Sequence, residues 1–190
     1  MKKIIFFFFI VSIVSCGRPF YTNSNYFNCA KNNTYEANTD KKQLIYAILE
    51  RAVVSKKDIP DYQLISNKNK IYINNVSYTR FFGGMTKPNE SQVFVSEIPS
   101  TIGDVQFCLK SESELQAIAN KTDDFLYLTL GSIKITDETA KIGLSNSWIV
   151  KKRNKGKYVM MSGGGYILTF KKVNGEWVFD ETKPVHSWIS

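Results

Sequence analysis

Residues 125–179 read FLYLTLGSIKITDETAKIGLSNSWIVKKRNKGKYVMMSGGGYILTFKKVNGEWVF, and this stretch decides the fold. Apolar, aromatic and β-branched residues recur there in short runs between polar turn segments, a pattern typical of consecutive β-strands. It predicts strands at Phe125 to Ile135, Ala140 to Lys151, Lys157 to Met161, Gly165 to Lys172 and Trp177 to Phe179.

Turn segments separate these predicted strands. They include Asp137-Glu138, Asn154-Lys155-Gly156 and Asn174-Gly175. Asn-Gly is the strongest short hairpin signal, because both residues accept a positive φ. Successive hairpins predict an antiparallel meander.

A first amphipathic helix is predicted upstream of the meander, with Asp40 as its N-cap and Gln43 three residues later as in a capping box. Lys56-Lys57 and Pro60 mark its end. Its apolar face comprises Leu44, Ile45, Ile48, Leu49, Ala52 and Val53.

A second helix is predicted to begin at Ser111, which forms an S-x-x-E capping box with Glu114. Leu115, Ile118 and Ala119 supply its apolar stripe.

Shorter strands are expected between the two helices. Gln63 to Ile65 and Ile71 to Ile73 flank a turn-rich segment, and we expect them to pair as a hairpin. Gln92 to Val95 and Val105 to Leu109 are two further predicted strands.

The predicted fold class is α+β, with two amphipathic helices packed on the apolar face of a long, antiparallel, curved meander. Over residues 40 to 180 this order of elements is similar to the nuclear-transport-factor-like or cystatin-like α+β cone. The resemblance implies a curved sheet that wraps its helices and can leave a pocket at the open end. At least one helix of the usual transport-factor-like set is missing from the pattern or is not recognised in it.

The N-terminus has the composition of a secretion signal. Met1-Lys2-Lys3 is a positive n-region, and Ile4 to Val14 is an apolar stretch too short to span a membrane. It ends in Ile13-Val14-Ser15-Cys16, which resembles the lipobox of bacterial lipoproteins.

The lipobox resemblance implies that Ser15 is the last residue removed and that Cys16 becomes the acylated first residue of the mature chain. Several acyl chains together give a stable anchor, because one chain alone binds a membrane reversibly. The expected location is the bacterial cell envelope, facing outside the cytoplasm and attached to membrane lipid. The alternative, which we favour less, is an ordinary secretory signal with a chance cysteine.

Cys29 and Cys108 remain after Cys16 is used for lipid, in a compartment where disulfides persist. A disulfide between them is one alternative. Two unpaired or buried thiols are the other, and this is favoured because the sequence does not determine the distance between them. We expect no metal site, because the chain has a single histidine, His186, and no clustered cysteines.

Residues 16–38 are expected to form a lipidated, asparagine-rich tether, and residues 39–190 a single domain. Loss of Lys2 and Lys3 with the signal lowers the net charge from +8 to +6. This charge favours anionic lipid head groups. The chain lacks the long basic helix and the interleaved aromatic and arginine stretch that bind nucleic acid, so we expect no nucleic-acid partner.

Several conspicuous residues have structural explanations that we favour over functional ones. Gly163-Gly164-Gly165 is expected to form a bulge or a sharp bend in the sheet. Residues 151–157 are expected to form a solvated basic hairpin tip, in preference to a contact with lipid or an acidic partner. Asp123-Asp124 is expected in a turn, and His186 in a C-terminal tail.

No spacing of residues predicts a catalytic site or a cofactor. The expected function is therefore a membrane-anchored, noncatalytic module that binds an envelope protein or a small apolar ligand. Two alternatives stay open, an enzyme with a cone pocket lined by carboxylates and tyrosines, and a protective or inhibitory lipoprotein that acts on another protein.

Overall fold

The computed structural model of the chain describes residues 28–29, 35–57, 65, 67–78, 90–157 and 163–189. These residues contain two α-helices, α1 (Asp40–Leu49) and α2 (Glu112–Lys121). The strands are β1 (Lys70–Asn74), β2 (Val76–Tyr78), β3 (Glu90–Gln92), β4 (Thr101–Ile102), β5 (Val105–Lys110), β6 (Phe125–Ile135), β7 (Thr139–Ile149), β8 (Gly164–Val173), β9 (Glu176–Phe179) and β10 (His186–Ile189). The fold is α+β, as the sequence predicts.

The strands form a mixed sheet whose main path runs β10-β8-β7-β6-β1-β5-β4. β1 is parallel to both of its neighbours on this path, β5 and β6. The prediction of an antiparallel sheet throughout is therefore wrong. β5 and β6 run in the same direction because α2 lies between them in the chain and serves as the crossover that parallel strands need.

The predicted hairpin before β5 is also wrong. Ile71 to Ile73 does form a strand, within β1, but its partners are β5 and β6. Of the proposed partner strand, Ile65 is buried and outside any strand, and residues 63–64 lie outside the described residues. A short strand with two buried isoleucines is more stable in the interior of the sheet, where both of its edges are paired.

The long hairpins of the meander agree with the sequence pattern. β6 has the predicted bounds, and β6, β7, β8 and β9 pair antiparallel in chain order. The register of β6 on β7 shifts between Leu130 and Ile133, where a Cβ on Gly131 would lie 2.9 Å from the Cα of Gly143. The predicted strand from Lys157 to Met161 differs, because Lys157 lies in a turn and residues 158–161 are outside the described residues.

Two shorter predictions shift by a few residues. β7 ends at Ile149 instead of Lys151, and a 3₁₀ turn follows at Lys152–Asn154. Of the strand predicted from Gln92 to Val95, only Gln92 lies in a strand, as the last residue of β3. Val95–Glu97 is a 3₁₀ turn.

The N-cap of α1 is Thr39, not Asp40 as predicted. The Thr39 hydroxyl accepts a hydrogen bond from the Lys42 N–H at 3.3 Å. Asp40 is the first helical residue, and its carboxylate is used in contacts with another element. The helix continues beyond Leu49 as a π-helical turn over Glu50–Val54, which ends near the predicted boundary.

The two helices lie on opposite faces of the sheet, and this differs from the common face that the sequence pattern favours. The apolar face of α1 packs with Ile71 and Ile73 in the larger core. That of α2 packs with Phe125 and Ile149, and Tyr72 packs against this smaller cluster. Successive residues of a strand point to opposite faces, so Tyr72 serves α2 while its two neighbours serve α1.

Strand β10 and the glycines opposite it also differ from the predictions. β10 covers part of the expected tail and pairs with β8, with Trp188 opposite Gly165. A Cβ on Gly165 would overlap the Trp188 ring and would lie 2.8 Å from the Leu144 carbonyl oxygen. Gly164 and Gly165 keep an unbroken register with β7, so the predicted bulge is wrong. The glycine is needed for the close approach of an aromatic ring.

The β8–β9 turn provides a test of the meander. Asn174 and Gly175 both have positive φ, at 53° and 87°. Gly175→Val should lower the free energy of unfolding by about 1 kcal/mol or more, because a β-branched residue tolerates positive φ poorly. Gly175→Asn is the matched control and should cost less. Denaturant midpoints measure both, and a valine variant as stable as the wild type would contradict this turn.

Candidate functional site

The N-terminal segment is attached to the domain at the end of β5. Cys29 and Cys108 form a disulfide with Cα atoms 4.8 Å apart, across 79 residues of sequence. This is the alternative that the sequence pattern favoured less. Cys108 is fully buried, and it lies in β5, between β1 and β4 in the sheet. The bond thus joins the segment after the predicted lipidation site directly to the core.

Lys110 reinforces this attachment. Its side chain is only 5% exposed, and its ammonium donates to the Asn28 carbonyl oxygen at 2.8 Å. The same ammonium lies 3.3 Å from Glu114 Oε1. A buried cation needs such partners, because burial of an unpaired charge is costly. The sequence pattern missed this site, although Lys110 and Glu114 have the i, i+4 spacing of an ion pair.

Glu114 links the attachment to the start of α2. The Ser111 N–H and the Ser111 hydroxyl each donate to Glu114 Oε2 at 2.9 Å, which confirms the predicted capping box. Burial opposes ionisation of this carboxyl, but the hydrogen bonds from Ser111 and the charge of Lys110 outweigh it and lower the pKa of Glu114. Glu114 therefore caps the helix and neutralises the buried lysine.

The opposite end of α2 holds the turn after β7. The Lys151 N–H donates to Asp124 Oδ1 at 2.7 Å, and the Asn154 amide donates to Asp124 Oδ2 at 3.2 Å. Lys151 Nζ lies 3.2 Å from Asp123 Oδ1, and its hydrogen bond lowers the pKa of Asp123. A lowered pKa keeps this carboxylate ionised, which suits an ion pair and not a general acid.

A third polar cluster fastens α1 to the β8–β9 hairpin. Asp40 Oδ1 accepts from Lys172 Nζ at 2.9 Å and from Trp177 Nε1 at 3.0 Å. These hydrogen bonds lower the pKa of Asp40. On the same side, the Arg51 guanidinium lies 3.6 Å from the centroid of the Phe179 ring. These contacts fix the helix to the sheet.

The remaining candidate residues are spread over the fold. His186 is exposed at the start of β10, opposite Ile167. Tyr166 and Trp177 are core residues, and Tyr127 and Trp148 pack against the two cores. Within the described ranges, no group of three histidine, cysteine or acidic side chains is placed to hold a metal ion.

A small groove lies beside the 3₁₀ turn at Val95–Glu97. That groove has a volume of about 10 Å³, which is about the space for one water molecule. Its lining includes Val95, Ile98, Pro99 and Phe107.

Comparison of the chain with protein-family models, curated proteins and solved structures finds no match. In the part of the chain that the structure describes, no helix is long and apolar enough to cross a membrane. The predicted cleavage and lipidation residues, Ser15 and Cys16, lie outside the described residues.

Removal of the disulfide tests how much the attachment contributes to stability. Cys29→Ala should lower the free energy of unfolding by about 2–4 kcal/mol, because the bond restricts a long loop of the unfolded chain. Chemical denaturation with and without reductant measures this. Reductant should destabilise the wild type and leave the variant unchanged. A reductant effect of equal size in both would contradict the assignment.

The pH dependence of stability tests Glu114. Because its pKa is lowered in the folded state, ionised Glu114 stabilises the fold above the unfolded pKa, and this contribution is lost as the pH falls through the folded pKa. Glu114→Gln keeps the hydrogen-bonding shape and should cost about 0.5–1 kcal/mol at neutral pH. The difference from wild type should vanish in acid.

Glu112→Gln is the matched control for this experiment, since Glu112 is an exposed glutamate in the same first helical turn. Its effect should be smaller. A Glu114 effect that persists below the folded pKa would show that charge is not its cause.

Proposed function

We propose that this chain is a lipid-anchored protein of the bacterial cell envelope that acts as a noncatalytic binding module. The observation that carries the proposal is Ile13-Val14-Ser15-Cys16, placed at the end of a short apolar segment that follows two lysines. In this proposal residues 1–15 are removed, Cys16 is acylated, and the domain faces outside the cytoplasm.

The Cys29–Cys108 disulfide supports the proposed location. Such bonds persist in oxidising compartments and are rare in the cytosol. Cys29 follows Cys16 by 13 residues, so the domain can lie at most about 45 Å from an anchor at Cys16. A tether that ended at the first helix would be longer. The disulfide therefore favours a domain held near the membrane.

Three carboxylates of the domain take part in structural contacts, and this supports a binding role over a catalytic one. Asp40, Glu114 and Asp123 each hold two elements together, and each has a pKa lowered by its partners. Carboxylates of this kind stay ionised at neutral pH. A general acid needs a raised pKa instead. In the proposed role, the domain presents its surface to an envelope protein or to a small apolar ligand.

Fatty-acid labelling in cells tests the anchor. Wild-type chain should incorporate labelled palmitate, and mass spectrometry should find Cys16 as the acylated N-terminus. Cys16→Ser should lose the label and keep the uncut precursor mass, because the lipid is attached through the sulfur of this residue.

Cys29→Ser is the matched control, and it should be labelled and cut like the wild type. A mature N-terminus at any other residue would overturn the proposed function. So would retention of the label by Cys16→Ser.

A further inference from the structure

The turn that follows β7 concentrates positive charge. Residues 151–157 include five cations, Lys151, Lys152, Arg153, Lys155 and Lys157. Lys151 is buried and paired with Asp123, whereas the other four are exposed. Within this segment the exposed surface is therefore dominated by lysine and arginine.

This basic loop is held in a defined conformation. Asp124 accepts hydrogen bonds from the Lys151 N–H and the Asn154 amide, and Asn120 Oδ1 accepts from the Lys152 N–H at 2.9 Å. The backbone of Lys152–Asn154 forms a 3₁₀ turn. Because one side chain in the last turn of α2 and one just after the helix fix this backbone, the exposed cations project from an ordered turn and lose little backbone entropy on binding.

The basic loop lies near the attachment of the N-terminal segment. α2 connects the two, since its first turn contacts Lys110 and its last turn contacts Lys152. Its ten residues span about 15 Å. From Cys16 to Asn28 the chain can extend at most about 40 Å. A domain anchored at Cys16 can therefore bring the loop to the membrane surface.

We propose that the basic loop of residues 151–157 docks on anionic phospholipid head groups of the membrane that holds the anchor. This inference rests on the proposed function. Lysine and arginine donate charge-assisted hydrogen bonds to phosphate oxygens. Attraction to an anionic surface falls off within about 8 Å at physiological salt, so a loop must be held close to the surface to benefit. The acyl anchor and the disulfide provide that proximity.

The test uses the acylated chain reconstituted in vesicles of phosphatidylcholine alone or mixed with phosphatidylglycerol. Hydrogen exchange of the amides in residues 151–157 should be about tenfold slower on the anionic vesicles than on phosphatidylcholine alone. The protection should be lost at high salt. The β6–β7 tip at Asp137-Glu138 is the internal reference, and its exchange should not change.

Two charge-matched variants separate local docking from net charge, and circular dichroism should show that both are folded. The loop variant should lose the protection, and the control variant should keep it. The loop variant is Lys152→Gln, Lys155→Gln and Lys157→Gln, and the control variant is Lys134→Gln, Lys141→Gln and Lys183→Gln, all at exposed lysines.

Equal exchange on the two kinds of vesicle, or equal loss in the two variants, would overturn the proposal. Protection produced by inorganic phosphate on phosphatidylcholine vesicles would also overturn it, because the ligand would then be free phosphate. The mass of the reconstituted chain is measured first. A chain without acyl groups would overturn the proposed function and, with it, the membrane as the partner of the loop.

Discussion

The whole arrangement depends on β1, a five-residue strand that is paired on both edges and covered on both faces. Ile71 and Ile73 point to one face and Tyr72 to the other, so neither face can be left to water. α1 and the π-helical turn cover the first face. α2 covers the second, and its position between β5 and β6 in the chain gives the parallel strands their crossover.

α2 therefore does more than cover a sheet face. At its first turn, Glu114 neutralises the buried Lys110, which holds the N-terminal segment through Asn28. At its last turn, Asn120 and the following Asp124 fix the basic loop. One short helix thus sets the separation between the attachment of the N-terminal segment at Asn28 and the basic loop of residues 151–157. The apolar face of this helix packs on the smaller core.

Features that depend on neighbours in the chain could be predicted from the sequence. These are the bounds of β6, the Ser111–Glu114 capping box and the Asn174-Gly175 turn. Features that depend on distant residues could not. The partners of β1, the face chosen by each helix and the Trp188 ring above Gly165 are decided by packing across the sheet. The role of the lysine at the attachment was missed because the carbonyl that it binds is 82 residues away in the chain.

The disulfide has a consequence for what happens when the chain is cut by a protease. α1, β1 and β5 lie, up to Cys108, within the ring that the Cys29–Cys108 bond closes. A proteolytic cut at any peptide bond inside that ring leaves the N-terminal segment covalently joined to α2 and the meander. A nicked molecule would therefore keep its C-terminal half covalently joined to the segment that contains Cys29, until the bond is reduced.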